Sequence, residues 1–397
     1  MKWGFADVVR APRLGFSAKK IWIAFLGILS ATIVYSILTY VAYVTSGWTW
    51  KEVWREFRYI PWVIIPVKGV GTHLRPWSWV IWVIGVSAGV FILLTTVCAI
   101  SKMTFEQLKG NEFYEVTEAI RFAMKQWKGT IGAPLVLTFL IGFLILVGFL
   151  CGLVGRIPYA GQIITGLLFI PIAFGALFVV YLAIVWFLSL IVSPAVTATT
   201  ESDAFDTLFE VFSVLNDQTW RTVLWQIFIA FAAFAGVYIL GWLVKKALIL
   251  MHWALNLWSG TRMVGDTPYR WWEVMWNNGL WYLPRCPRIP WAEILCAKVF
   301  HLPVLLWGVE WMKPLTWADW IGSFLAGLSF HFIGMFVAGY GLATWSAGQT
   351  LAYVVLVKIK DEKDLLEEKP EEELPIEEEE KKEEEKKEEK KEEEKKE

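Results

Sequence analysis

The chain has 397 residues, 56% of them apolar, and the apolar residues are gathered into long runs that carry no charge. A soluble domain gives each helix a polar face and sits nearer half apolar, so a water-soluble globular fold is excluded. The net charge of −1 hides a split: residues 361–397 hold 21 acids and 10 bases, whereas the preceding 360 hold 17 acids and 27 bases. The basic body suits contact with anionic headgroups, and the acidic tail is a separate physical object.

The chain opens with an amphipathic stretch over 5–16, followed by Lys19 and Lys20. The first uncharged run, 21–45, is too long for a cleavable leader, whose apolar stretch is typically 7–15 residues, so it is expected to stay as a helix. A hydrocarbon core about 30 Å thick takes roughly 20 residues of helix, and peptide groups in lipid must be paired internally. Six runs meet that length: 21–45, 77–100, 130–154, 161–192, 222–244 and 321–357. None of them contains Asp, Glu, Lys or Arg. The fold class is therefore all-α, a polytopic membrane bundle of about six spans. Pro171 and the Gly339/Gly341 pair are the expected bend points.

Residues 155–160 are too few to do more than turn the chain between the third and fourth runs, which gives an antiparallel hairpin. Residues 252–320 are different. They carry 11 of the 26 Trp and six prolines, a composition suited to short helices lying in the interface. Within them, 291–312 is apolar, but it contains Glu293, Lys298, His301, Pro303 and Glu310 and is not counted as a span. Cys286 and Cys296 share this loop and would form a disulfide only if it faces an oxidising compartment. Cys98 and Cys151 lie in apolar runs as core thiols. Beyond Val357 the composition changes to Glu and Lys, with i,i+4 pairs such as Glu378–Lys382. This tail, 361–397, reads as a solvated strut or single charged helix, and the alternative is an electrostatic arm that docks protein partners.

An internal repeat is visible. Short amphipathic segments at 5–16, 112–128 and 201–218 each precede a span. In each, an acid (Asp7, Glu118, Asp203) is followed nine residues later by an aromatic (Phe16, Trp127, Phe212) and then by basic residues. The second segment places Phe113, Val116, Ile120, Ala123 and Trp127 on one face. The third does the same with Phe205, Leu208, Phe209, Phe212 and Leu215. Three units of two spans return both termini to one side. Basic-residue counts do not orient the chain; the highly charged tail places both termini in the cytoplasm and the protein in the cell (inner) membrane.

Ser193-Pro194-Ala195 closing a span, Asp203-Ala204-Phe205, Trp220-Arg221 opening the next, and the final Ala352-Tyr353-Val354-Val355-Leu356-Val357-Lys358 with Asp361 and Glu362 carry a resemblance. The chain is similar to bacterial multi-pass proteins related to the glycerophosphodiester phosphodiesterase membrane domain. The resemblance implies an integral membrane domain without a catalytic one and covers roughly 110–250 and 320–365.

Chemistry inside a membrane needs acids, bases or metal ligands facing a wet cavity. No paired intramembrane carboxylates, His-Glu-x-x-His stretch, Gly-x-Ser-x-Gly elbow or phosphate-binding Gly-Lys loop is present. No catalytic residue, metal site, cofactor or nucleic-acid partner is expected. The one polar strip is in the last span: His331, Ser346, Gln349 and Tyr353. Its bland reading is polar glue between helices, and its sharper one is a substrate path. Glycines within the spans read as packing within the bundle, with a homo-oligomer interface as the alternative. The functional expectation is a non-enzymatic scaffold, assembly or membrane-organising protein whose partners are the bilayer and proteins held by the tail. The alternative is a permease for a small neutral or lipid-like solute.

Overall fold

The computed structural model describes residues 4–60, 75–258, 262–264, 267–282, 312 and 316–367. Its elements in chain order are α1 (Phe5–Val8), α2 (Ala11–Gly15), α3 (Ala18–Thr45), α4 (Trp50–Phe57), α5 (Pro76–Leu108), α6 (Val116–Lys125) and α7 (Trp127–Val154). They continue with α8 (Ala160–Leu167), α9 (Phe169–Thr200), α10 (Ala204–Trp258), β1 (Arg262–Val264), β2 (Thr267–Tyr269), α11 (Trp271–Trp281) and α12 (Trp317–Asp361). Among the described residues, α3, α5, α7, α9, α10 and α12 are the six helices long and apolar enough to cross a bilayer. The chain is an all-α, multi-pass membrane protein. The only strands described form one short antiparallel hairpin that pairs Arg262 with Tyr269.

Several boundaries differ from those the sequence suggests. The run 161–192 is broken: α8 ends at Leu167 and α9 starts at Phe169. Pro171 is the cause, because its ring meets the carbonyl four residues back and it has no N–H to continue the ladder. Helix α12 runs through Gly339 and Gly341 rather than ending at them. They are contact points instead. A Cβ on Gly339 would stand 3.2 Å from the Phe25 main-chain nitrogen, so α12 and α3 cross there backbone to backbone. α10 also runs on past Lys245 and Lys246 to Trp258. From Thr219 that is about 60 Å of helix at 1.5 Å per residue, twice the hydrocarbon thickness. Its far end therefore leaves the membrane, where Leu248 packs with Trp276 and Phe330 in an aromatic cap built with α11.

The repeat is realised as a closed ring. α3–α5, α7–α9 and α10–α12 are three packed hairpins, and α5, α9 and α12 meet one another at the centre. The short helix that opens each unit packs on the unit before it: α6 on α5 and α3, the first part of α10 on α7 and α9, and α1 and α2 on α12 and α10. The last of these contacts closes the circle. A Cβ on Gly15 would stand 2.5 Å from the Thr344 Cα, so α2 and α12 touch with nothing between them.

The interfacial helices divide their residues in an unforeseen way. Ala119 and Ala123 of α6 are buried while Ile120 and Trp127 are exposed, and Phe113 just before α6 is 88% exposed. In α10, Leu208, Val211 and Leu215 are buried while Phe205 and Phe209 are exposed. Ala119, Ala123, Leu208, Val211 and Leu215 thus face the protein, and Ile120, Trp127, Phe205 and Phe209 face outward. Trp22, Trp127 and Trp220, one near the start of each unit's first span, are all exposed.

The core lies at the end of the bundle that carries these helices. Val8, Phe105, Val192, Ala195, Val196, Trp225, Tyr353 and the run Val354–Val357 belong to one buried cluster, and so does Leu365. Val8 and Leu365 thus place both ends of the bundle on one face. Leu365 also moves the boundary of the tail: it and Leu366 pack on the bundle, although the composition changes at 361. Residues 368–397 lie outside the described residues, as do Cys286, Cys296 and 291–311.

Candidate functional site

Burial in lipid makes every polar side chain in a span seek a partner, so the partners of the polar strip indicate what it does. Ser346 Oγ lies 2.9 Å from Ser101 Oγ on α5 and donates to the Val97 carbonyl at 2.9 Å. Gln349 and Gln226 exchange both amide hydrogen bonds between α12 and α10, at 2.6 and 2.7 Å. Tyr353 is buried in the central cluster. His331 stands apart, because fifteen residues of helix separate it from Ser346 by about 22 Å. His331 Nδ1 bonds the Gly327 carbonyl at 2.8 Å, and its ring meets Tyr59 edge-on with centroids 4.9 Å apart. Its Nε2 is buried and accepts no hydrogen bond from the described residues. The structure brings Ser346 and Gln349 into inter-helix bonds and leaves His331 in the aromatic cap at the opposite end.

A second polar layer lies just outside the core on the face that holds the short helices. Lys20 is buried, and its Nζ donates to Gln107 Oε1 at 2.8 Å and to the Leu14 carbonyl at 3.0 Å. Lys102 Nζ is 2.8 Å from Glu201 and 3.3 Å from Glu106, and it sits 4.5 Å over the Phe122 ring. Lys360 Nζ is 3.4 Å from Asp361, 3.9 Å from Glu210 and 4.0 Å from Asp217. Lys20 ties α3 to α2 and α5, Lys102 ties α5 to the end of α9, and Lys360 ties α12 to α10. Such bonds cross the contacts that hold the ring together. Tyr114 lies beside this layer. Burial, helped by the carboxylates of Glu106, Glu118 and Glu201, pushes its phenol up to about 12.

The layer opens into a cleft of about 770 Å³ lined by Asn216, Asp217, Gln218, Thr219, Trp220, Arg221, Ile359, Lys360 and Asp361. It exists because α10 leaves helical geometry at Gln218 (φ −135°, ψ 39°), where the interfacial segment turns into the span. The sequence shows the change from amphipathic to uniformly apolar at this point, but nothing in it brings the end of α12 alongside. Among the described residues no group of three or more His, Cys, Asp or Glu is arranged to hold a metal ion. Cys98 and Cys151 are free, and Cys98 is buried.

No family model matches the chain, and no curated protein or solved structure matches it. The residues behind the resemblance noted above divide: Ser193, Pro194 and Ala195 are buried near the end of α9 and residues 352–357 are buried in α12, whereas Phe205, Trp220, Arg221, Asp361 and Glu362 are exposed.

Proposed function

We propose that the protein is a non-enzymatic scaffold of the cell (inner) membrane, related to the membrane domain it resembles, with both termini in the cytoplasm. It organises other membrane proteins or lipids, and the charged segment 368–397 supplies the arm that reaches protein partners. The observation that carries this reading is the use made of Ser346 and Gln349. Both are committed to Ser101 and Gln226, which favours a bundle that is braced over one that moves a solute. Exposed aromatic residues on the interfacial helices and the buried ties of Lys20 and Lys102 fit the same role. The permease alternative would need those pairs to open during a transport cycle.

Two experiments test the proposal. In-cell cross-linking of the intact chain, compared with a chain ending at Glu367, should recover membrane-protein partners that the truncated chain loses. Reporter fusions at both ends should be active only in the cytoplasm. Unchanged partners after truncation would remove the tail from the proposal. Solute flux in proteoliposomes that is abolished by locking residues 226 and 349 together would replace the scaffold with a permease.

A further inference from the structure

We infer that His252 is an acid-released latch, which ties the outer end of α10 to α11 and lets it go when the imidazole takes up a proton. The inference depends on neither the scaffold nor the permease reading. His252 lies on the part of α10 that runs past the membrane, half-buried beside Trp272 and Trp276 of α11. Trp272 Nε1 donates to its Nδ1 at 3.2 Å. An indole nitrogen can only donate, so Nδ1 holds a lone pair and the ring is neutral with its proton on Nε2. That nitrogen lies 3.1 Å from the Asn256 side-chain amide. A second proton can go only to Nδ1, where it would face the Trp272 N–H donor to donor. Uptake of one proton therefore breaks the bond from α11 and leaves the Asn256 contact, which lies within α10, in place.

The surroundings decide which way the ring titrates. From α11, Glu273 favours a charged imidazole, but its carboxylate is already 2.9 Å from Arg270. From α10, Lys245 shares the His252 face two turns earlier, about 10 Å along the axis, and opposes the charge. From α12, the Phe330 ring reaches the cluster edge-on to Trp276, with centroids 5.1 Å apart. His331, next to it, meets Tyr59 instead, and its Nδ1 bond to the Gly327 carbonyl survives protonation. A charged His252 would gain from the Trp276 ring, 4.4 Å away between centroids. Burial works against the charge and holds His252 below the ordinary histidine value. The latch is therefore shut above that ordinary value and opens as pH falls through the folded one. α11 itself stays docked, because Trp276 and Leu280 are buried with Phe330 of α12. The element released is the last turns of α10.

The test uses the full chain in nanodiscs. Labelled histidine gives the His252 titration by NMR, its resonance identified by its loss in His252→Asn. Hydrogen exchange, corrected for the intrinsic effect of pH, reports the amides of 249–258. The wild type should titrate below about 6.5, and protection of that segment should fall about fivefold on acidification through the midpoint, the share of one hydrogen bond. Trp272→Phe keeps a ring and removes the donor. It should raise the His252 midpoint by about half a unit and leave the segment at the lower protection on both sides of it. His252→Asn keeps an acceptor where Nδ1 stood and cannot titrate, so it should hold the higher protection throughout. A midpoint unmoved by Trp272→Phe, protection that does not change across the wild-type midpoint, or a His252→Asn chain as pH-sensitive as the wild type would each overturn the inference.

Discussion

Gln226 and Gln349 face each other across α10 and α12, each donating its side-chain amide to the other's carbonyl. The pair is reciprocal, so removing one member strands a donor and an acceptor on the other. Gln349→Leu is expected to destabilise the protein by about 1 kcal/mol, and Gln226→Leu by a similar amount. The double variant should lie closer to the wild type than the sum of the two. Unfolding in detergent provides the double-mutant cycle, and simple additivity would show that the bonds do not act as a unit.

The contact between α2 and α12 closes the ring, and it depends on Gly15. With a Cβ there only 2.5 Å from the Thr344 main chain, Gly15→Ala must push the helices apart and should cost about 1–3 kcal/mol. Gly148 in α7 has nothing near its missing Cβ, so Gly148→Ala should be neutral or slightly stabilising through helix propensity. Thermal melts of the two variants in one detergent make the comparison.

Leu365 lies past the end of α12 yet belongs to the same cluster as Val8. A chain ending at Glu367 should melt like the full protein. A chain ending at Asp361 loses that side chain and should fall by about 2 kcal/mol, the usual value of one buried leucine. Equal stability of the two truncations would move the boundary of the bundle back to 361.

At the start of α4, Thr49 and Glu52 form a capping box, with the Thr49 N–H donating to Glu52 Oε2 at 2.9 Å. That main-chain bond, then the Thr49 hydroxyl, and the charge of Arg55 hold the Glu52 carboxyl below its ordinary value. The folded value is depressed, so the contribution of the cap is present above the ordinary carboxylate range and is lost as pH falls through the folded value. Thr49→Ala should move the Glu52 titration midpoint upward, read from its carboxyl carbon shift. An unmoved midpoint would mean the cap does not form in the membrane.

The six spans are legible in the sequence because charge is absent over long lengths, and lipid imposes that condition residue by residue. The three-unit plan is legible for a related reason: Asp7, Glu118 and Asp203 each announce a short helix before a span. The sidedness of those helices is not legible. Hydrophobicity groups Ile120 with Ala123, yet at an interface two different environments both accept apolar residues. Ala119 and Ala123 face the protein, and Ile120 and Trp127 face outward. The partners of Ser346 and Gln349 are equally hidden, since Ser101 and Gln226 stand on helices whose neighbours only the closed ring decides. The cleft is the extreme case, because it needs a departure from helical geometry at Gln218 together with the end of a helix far along the chain.

The α7–α9 hairpin is anchored only near its base, where Ala133, Leu137, Leu182 and Val185 pack with Leu208, Val211 and Leu215 of α10. Farther out, Phe139, Phe143, Phe149, Phe174 and Leu177 all lie open. Among the described residues this outer portion packs on itself and on the short α8 at its tip, so its lean should follow acyl-chain length. Any change in that lean is levered through the base onto the segment of α10 that ends at Gln218, which couples the thickness of the surrounding membrane mechanically to the mouth of the cleft.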